Sequence, residues 1–311
     1  MKRLFYFILL IAGFSSIHSC KDLTDEEGNP LLDLNENTGL IGPRALSREV
    51  TNAGQIAQYE YTGLLLTRVI TEKASIANIE WSGDKISRLT FNGFLDLDND
   101  GIIDTDSVSY TQQYTYGNLG RLTMISENRT VFRRTPPPVG SPAGTPPGPF
   151  VVFAKTKAIY NLTYSSTTAK LASIVMRRGN DVTSFAYTDY TKAVYSYLGD
   201  NVSSVAKEVG KLTGTVFEPA DKNFVFDFSS YDSQISGYTL LPFEYKISVL
   251  ISTDINDDRG LILSPNSPKR ASATEIVPGI PVTVVVSTNY KYDPQTYMTQ
   301  GFGINYFYKP L

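Results

Sequence analysis

The stretch Tyr114-Thr115-Tyr116-Gly117-Asn118-Leu119-Gly120-Arg121-Leu122-Thr123-Met124-Ile125 decides how the rest of the chain is read. Tyr114 and Tyr116 are two apart, so on an extended strand they share one face. The Gly and Asn residues supply the positive φ of a tight turn, and Leu122 and Ile125 return on a second strand. The unit is a β-hairpin with an aromatic pair near its turn. A second copy runs from Tyr195 and Tyr197 through Gly199 to Val202 and Val205. Looser copies occupy 160–174 and the segment around Tyr290 and Tyr292. One hairpin alone leaves two unpaired edges, so repeated hairpins are expected to stack sideways, each covering its neighbour's edge. The expected fold class is all-β, an antiparallel meander of stacked hairpins forming an open or sandwiched sheet.

Outward from this unit, from about residue 55 on, short segments rich in Tyr, Thr, Val, Ile and Phe alternate with Gly-, Asn- or Asp-containing turns. Residues 79–81 and 86–91 flank the turn Ser82-Gly83-Asp84-Lys85. Residues 171–177 and 182–187 are expected to flank a turn at Gly179-Asn180-Asp181, and 282–288 is the clearest single strand. No long stretch shows a helical period, although 61–73 reads equally as helix or buried strand. Residues 135–149 hold seven of the chain's 17 prolines. Such a segment cannot pair in a sheet. It is either the tip of one long hairpin, 130–134 pairing with 150–155, or a linker dividing lobes 51–134 and 150–311.

Composition narrows the function. The chain is 41% hydrophobic and 19% charged with a net charge of −3, which is globular and too acidic for a nucleic-acid partner. Its one histidine and one cysteine are His18 and Cys20. Lys2 and Arg3 precede an apolar run at 4–14 that reads as a secretory signal, too short to cross a hydrocarbon core of ~30 Å. Ile17-His18-Ser19-Cys20 resembles a bacterial lipobox. That resemblance implies a signal peptide over 1–19, lipidation of Cys20 and attachment to the outer membrane through the lipid. Residues 20–50 begin with an acidic run expected to be a solvated tether, and 51–311 form the β-domain. The run after Cys20 also resembles the surface-export signal of Bacteroidota lipoproteins, which implies an exposed location.

YTYGNLGRLTMI is similar to the YD-repeat unit. Together with 226–232 (FDFSSYD), 266–272 (NSPKRAS) and 290–297 (YKYDPQTY), it makes residues 55–311 resemble Bacteroidota surface lipoproteins built from degenerate YD-repeat-like hairpins. The resemblance implies an all-β, cell-surface, non-catalytic protein.

Without histidine or a free thiol in the processed chain, Ser-His-Asp, Cys-His, thiolate and histidine-zinc chemistry are excluded. No phosphate-cradling glycine loop occurs. The expectation is no enzyme; the alternative is a glycan-acting hydrolase drawing a carboxylate pair from the 31 acids, which needs no motif. A binding role would take a glycan or another surface protein as partner, and the lone tryptophan, Trp81, is the candidate ring for glycan stacking. Asp106-Ser107-Val108 is similar to the Bacteroidota O-glycosylation sequon, making Ser107 a candidate modification site.

The sharpest site expectation is a calcium loop, Asp96-Leu97-Asp98-Asn99-Asp100-Gly101-Ile102-Ile103-Asp104. Asp96, Asp98, Asp100 and Asp104 stand at positions 1, 3, 5 and 9, Gly101 takes the sharp turn at 6, and the Ile102 carbonyl adds an oxygen at 7. Position 12 is Ser107 rather than a bidentate acid, so the loop is not a helix-loop-helix hand, and calcium here would be structural. A solvated acidic turn without metal is the other reading. The acidic turn at 254–260 has Arg259 where a glycine is needed and is not read as a site.

Overall fold

Hairpins that each need a neighbour should pair strand to strand along the chain, and they do. The computed structural model describes residues 44–71, 75–97, 102–142, 144–254, 256–277 and 281–310. Its first strands are β1 (Arg44–Thr51), β2 (Ile56–Thr62), β3 (Leu65–Thr71), β4 (Ser75–Ser82), β5 (Lys85–Phe94) and β6 (Ser107–Tyr116). The long central strands follow as β7 (Leu122–Arg134), β8 (Phe150–Tyr164), β9 (Leu171–Asn180), β10 (Asp189–Leu198) and β11 (Asn201–Thr213). After the two-residue β12 (Val216–Phe217) and β13 (Lys222–Tyr231) the chain leaves the sheet for one helix, α1 (Phe243–Leu250), flanked by 3₁₀ segments Gly237–Leu240 and Asn256–Leu263. It returns through β14 (Pro268–Ile276), β15 (Val282–Ser287), β16 (Lys291–Tyr292), β17 (Met298–Gly301) and β18 (Ile304–Pro310).

All pairings are antiparallel, and each strand from β1 to β11 pairs with the next. β13 continues the sheet on β11, with β12 as a short flap, and β14 and β15 follow. At the other end β18 closes onto β1 and carries β17 and β16. The result is one open antiparallel sheet of 18 strands in a meander. Two-residue turns with positive-φ glycine link the hairpins, as at Gly83 (φ 65°) and Gly199 (φ 59°).

The sheet has one apolar and one polar face. On β6, Val108, Tyr110 and Tyr114 are buried while Gln113 and Thr115 are exposed; on β8, Ala158, Tyr160 and Leu162 are buried while Lys155, Lys157 and Thr163 are exposed. The alternation follows from the two-residue period of a strand. The apolar face wraps α1. Tyr245 meets Tyr59 of β2 edge-on with ring centroids 6.3 Å apart, and Phe243 lies 6.5 Å from Tyr164 of β8. From β2 to β8 a flat sheet would measure ~29 Å, against ~12 Å for an eight-residue helix. One small helix can touch both strands because the sheet curls around it. Ile247 and Leu250 are fully buried in the core this creates.

A repeated device fixes one end of the sheet. Seven strand pairs slip register just before an aromatic residue; two are Val131/Phe132 and Lys291/Tyr292, and the other five are Glu60/Tyr61, Glu80/Trp81, Thr115/Tyr116, Thr163/Tyr164 and Ser196/Tyr197. Such a bulge re-aims the side chain. Tyr61 Oη donates to the Leu46 carbonyl at 2.9 Å, Trp81 Nε1 to Leu66 at 2.8 Å, Tyr116 Oη to Ile86 at 2.7 Å and Tyr164 Oη to Leu122 at 2.6 Å. Tyr231 of β13 donates likewise to the Val202 carbonyl. Each acceptor belongs to a buried residue at the start of the preceding strand, where an unpaired carbonyl would cost about 1–3 kcal/mol. Tyr61, Trp81, Tyr116, Tyr164 and Tyr231 are thus rungs, each bolting one strand to its neighbour.

The structure corrects some expectations and decides between the readings left open for others. The β-structure starts before residue 51: β1 lies within the stretch read as tether, and its Arg44, Ala45 and Leu46 are buried, a pattern hidden by the polar Ser47, Arg48 and Glu49 beside them. Residues 182–187 are not a strand; β9 runs through Asn180 and the next strand starts at Asp189. Residues 65–71 are strand rather than helix. The proline-rich segment is the tip of a hairpin in which Thr130 faces Lys155 and Arg134 faces Phe150. The helix α1 was not expected.

Candidate functional site

Because the rungs cluster at one end, the turns beyond them gather around the first turn of α1. There the turn residues Gly120, Arg121, Ala169, Lys170 and Asp200 rim an open, cleft-like cavity of about 390 Å³. Its apolar wall is Leu122, Tyr164, Leu171, Tyr197, Phe243 and Leu263, and Glu244 completes the lining. This volume falls within the range of small-molecule sites, roughly 300–1,000 Å³.

The charged groups of the cavity come in engaged pairs. Lys170 Nζ bridges Asp200 Oδ1 at 2.7 Å, lies 5.3 Å from the Tyr197 ring centroid and donates to the Gly199 carbonyl. Glu244 Oε1 lies 3.1 Å from Tyr116 Oη, and the Arg121 guanidinium sits 5.7 Å from the Tyr164 ring. Burial pushes the Tyr164 hydroxyl up to about 12, with Glu244 adding to the rise. Burial raises Tyr197 to about 12 as well, so both remain neutral donors near pH 7. Tyr197 differs from the other rungs in one respect. Among the described residues its hydroxyl has no hydrogen-bond partner, although its strand carries the same bulge.

The opposite end of the α1 segment meets a charged layer, buried at Arg129 and Glu127 and half-buried at Arg178 and Asp254. Arg129 donates to the Ser252 carbonyl at 2.8 Å and pairs with Glu127 at 2.8 Å, and Arg178 grips Asp254 through two 2.9 Å bonds. The space beside it, lined by Tyr160, Lys207 and Asp254 among others, measures about 10 Å³, about one water probe. This layer clamps the segment after α1 and leaves no room for a ligand.

The residues singled out by sequence fall elsewhere. Trp81 is half-buried, packed against the core with its N–H committed to Leu66. Ser107 opens β6 with its hydroxyl 3.3 Å from the Gly93 carbonyl; the adjacent Asp106 is gripped by Arg133 at 2.6 Å and Val108 is fully buried. Modification of Ser107 would require its hydroxyl to leave Gly93. In the acidic loop, Asp104 ties the ends together: its N–H donates to the Leu95 carbonyl at 3.1 Å and its Oδ2 accepts from the Leu97 N–H at 2.7 Å. Asp96 is half-buried and Ile102 exposed. Asp98, Asp100 and Cys20 lie outside the described residues, as do the signal peptide and the first part of the tether. Among the described residues no group of three or more His, Cys, Asp or Glu side chains could hold a metal ion. The cavity residues were missed by sequence reasoning; the available signal was that Arg121, Lys170 and Asp200 all sit in turns following an aromatic rung.

No family model matches the sequence, and no curated protein matches it. Among solved structures, the chain is similar to a porin-like protein from Bacteroides vulgatus, with a TM-score of 0.48 and 11% identity over 86% of this chain and 100% of that one. It is also similar to a porin-like protein from Bacteroides uniformis, with a TM-score of 0.20 and 12% identity over 72% of this chain and 96% of that one. Neither identity is high enough to transfer a role.

Proposed function

We propose that this chain is a lipid-anchored, non-catalytic binding protein of the outer membrane, displayed at the cell surface, held by Cys20 and presenting its curled sheet to solvent. One observation carries the reading: the sheet's outer face is polar and its apolar face is filled by its own helix. A strand-spanning membrane protein needs the reverse, an apolar band facing lipid, and charges at mid-membrane cost ~2–4 kcal/mol each. Here the exposed face carries Lys155 and Lys157 and the cross-strand pairs Lys192–Glu208, Arg88–Glu80 and Arg68–Glu60 at 3.5–3.7 Å. Membrane attachment is then the work of the N-terminal lipid. The acidic loop of Asp96, Asp98, Asp100, Ile102 and Asp104 fits the proposal as a structural calcium site at the β5–β6 connection. Metabolic labelling of intact cells with a palmitate analogue tests the anchor: the wild type should label and fractionate with membranes. A Cys20→Ala form that still does both refutes it.

A carboxylate-pair hydrolase is the second reading, favoured by Asp200 and Glu244 lining the same cavity. Asp200 is paired with Lys170, and Glu244 shares the single Tyr116 hydroxyl proton with the Ile86 carbonyl, as suits groups that position a ligand. Polysaccharide turnover by the pure protein, abolished by Asp200→Asn or Glu244→Gln, would replace the first reading.

A further inference from the structure

The rung-end cavity joins features that define a ligand chemistry. Its wall presents the rings of Tyr164, Tyr197 and Phe243. Its ionisable lining balances, two cations (Arg121, Lys170) against two carboxylates (Asp200, Glu244). Among its described lining residues the one unengaged hydroxyl is that of Tyr197, which in the sister hairpins would be bonded to a backbone carbonyl. We propose that this cavity binds one or two rings of a neutral saccharide, the sugar's C–H face resting on the aromatic wall and its hydroxyls bridging the paired charges and Tyr197.

The charge balance argues against a phosphate-rich or polycationic ligand, since either would meet two groups of its own sign. A zwitterion would have to compete with the Lys170–Asp200 pair, whose aspartate is largely exposed, and for Glu244 with the Tyr116 hydroxyl that it shares with the Ile86 carbonyl. A sugar hydroxyl needs neither, because it donates and accepts at once and a paired carboxylate keeps free lone-pair sites. Size agrees: about 390 Å³ is the volume of on the order of a dozen waters, enough for a mono- or disaccharide. Tyr197 is then the rung released from fastening the sheet so that its hydroxyl can face a ligand.

The inference rests on the reading of a non-catalytic binding protein, and the test separates the two. The probes are glucose, galactose, mannose, N-acetylglucosamine and their disaccharides, titrated calorimetrically into the full chain in a detergent without a sugar headgroup, with glycine and inorganic phosphate as comparison arms. The expected result is saturable binding of at least one neutral sugar, none of glycine or phosphate, and recovery of the sugar unchanged. Tyr197→Phe should weaken binding about two- to tenfold, the loss of one hydrogen bond, without lowering stability. Tyr61→Phe, outside the cavity, should leave binding unchanged. No binding across the sugar panel, equal binding of glycine, or unchanged affinity in Tyr197→Phe overturns the site. Binding followed by cleavage keeps the site and overturns the non-catalytic reading.

Discussion

Removing one hydroxyl at a time from the rungs distinguishes those that fasten the sheet from the one that does not. Tyr61→Phe, Tyr116→Phe and Tyr231→Phe each delete the donor that satisfies the carbonyl of Leu46, Ile86 or Val202. All three acceptor residues are fully buried, so no bulk water takes the donor's place. Stranding such a carbonyl costs about 1–3 kcal/mol, and phenylalanine keeps the ring, so lost packing adds little. For a domain of this size each kcal/mol shifts Tm by roughly 2–4 °C, giving an expected drop of about 2–12 °C per variant. Tyr197→Phe deletes a hydroxyl with no described partner and should stay within about 0.5 kcal/mol of the wild type. Urea unfolding followed by Trp81 fluorescence measures this, with midpoints compared at constant slope so that stability rather than compactness is read. Equal losses for all four variants, or Tyr197→Phe as the most destabilised, would refute the ladder.

Glu49 of β1 offers a pH test. Burial outweighs the charge of Arg259 and lifts its carboxyl from 4.5 to about 7, and among the described residues its Oε1 has no hydrogen-bond partner. A raised acid contributes stability that is full below its unfolded value and lost as pH rises through about 7, so Glu49→Gln should lose that slope and gain on the wild type between pH 5 and 8. Parallel melting curves at both pH values would contradict the assignment. For the acidic loop, calcium titrated into chelator-treated protein should give one saturable event in the millimolar class, Kd of ~10⁻⁴–10⁻³ M, lost in Asp98→Ala with Asp100→Ala. No heat and no change in Tm would mean a solvated turn.

Much of the architecture was legible because the hairpin unit states its own geometry. Tyr114 and Tyr116 share a face, the glycines close the turn, and the proline-rich tip is bracketed by strands whose register can be read by symmetry. The rung was half legible: the second aromatic recurs, but its bond to a carbonyl of the preceding strand depends on a one-residue slip that leaves no mark in the sequence. Two failures have separate causes. Residues 182–187 have strand composition, with Val182, Phe185 and Tyr187, yet bulge out as a loop in which Phe185 and Tyr187 meet edge-on, centroids 5.0 Å apart. Their local preference was met by packing within the loop instead of pairing. The helix FEYKISVL is too short for its period to stand out, and its buried Lys246 breaks the apolar pattern. The cavity was illegible because its residues come from three turns and a helix whose convergence is a property of the curl.

That curl explains why a chain of repeats carries a long non-repeating segment between β13 and β14. Hairpins in series need only short turns, and the sheet they form has an apolar face that no neighbouring strand covers. Tyr59, Phe91, Tyr110 and Tyr160 all lie on it and all are buried. What buries them is the connection between β13 and β14, the longest outside the sheet among the described residues, bringing in Leu241, Tyr245, Ile247, Leu250, Ile251 and Ile262. Because the plug enters after β13, the strands before it cannot bury their apolar face until most of the sheet has been made. The clamp of Arg129 and Arg178 on Ser252 and Asp254 then ties the plug to β7 and β9, strands more than seventy residues earlier in the chain. Filling the curl from within also releases the outer face from any need to be apolar, which is what the proposed display on a lipid tether requires.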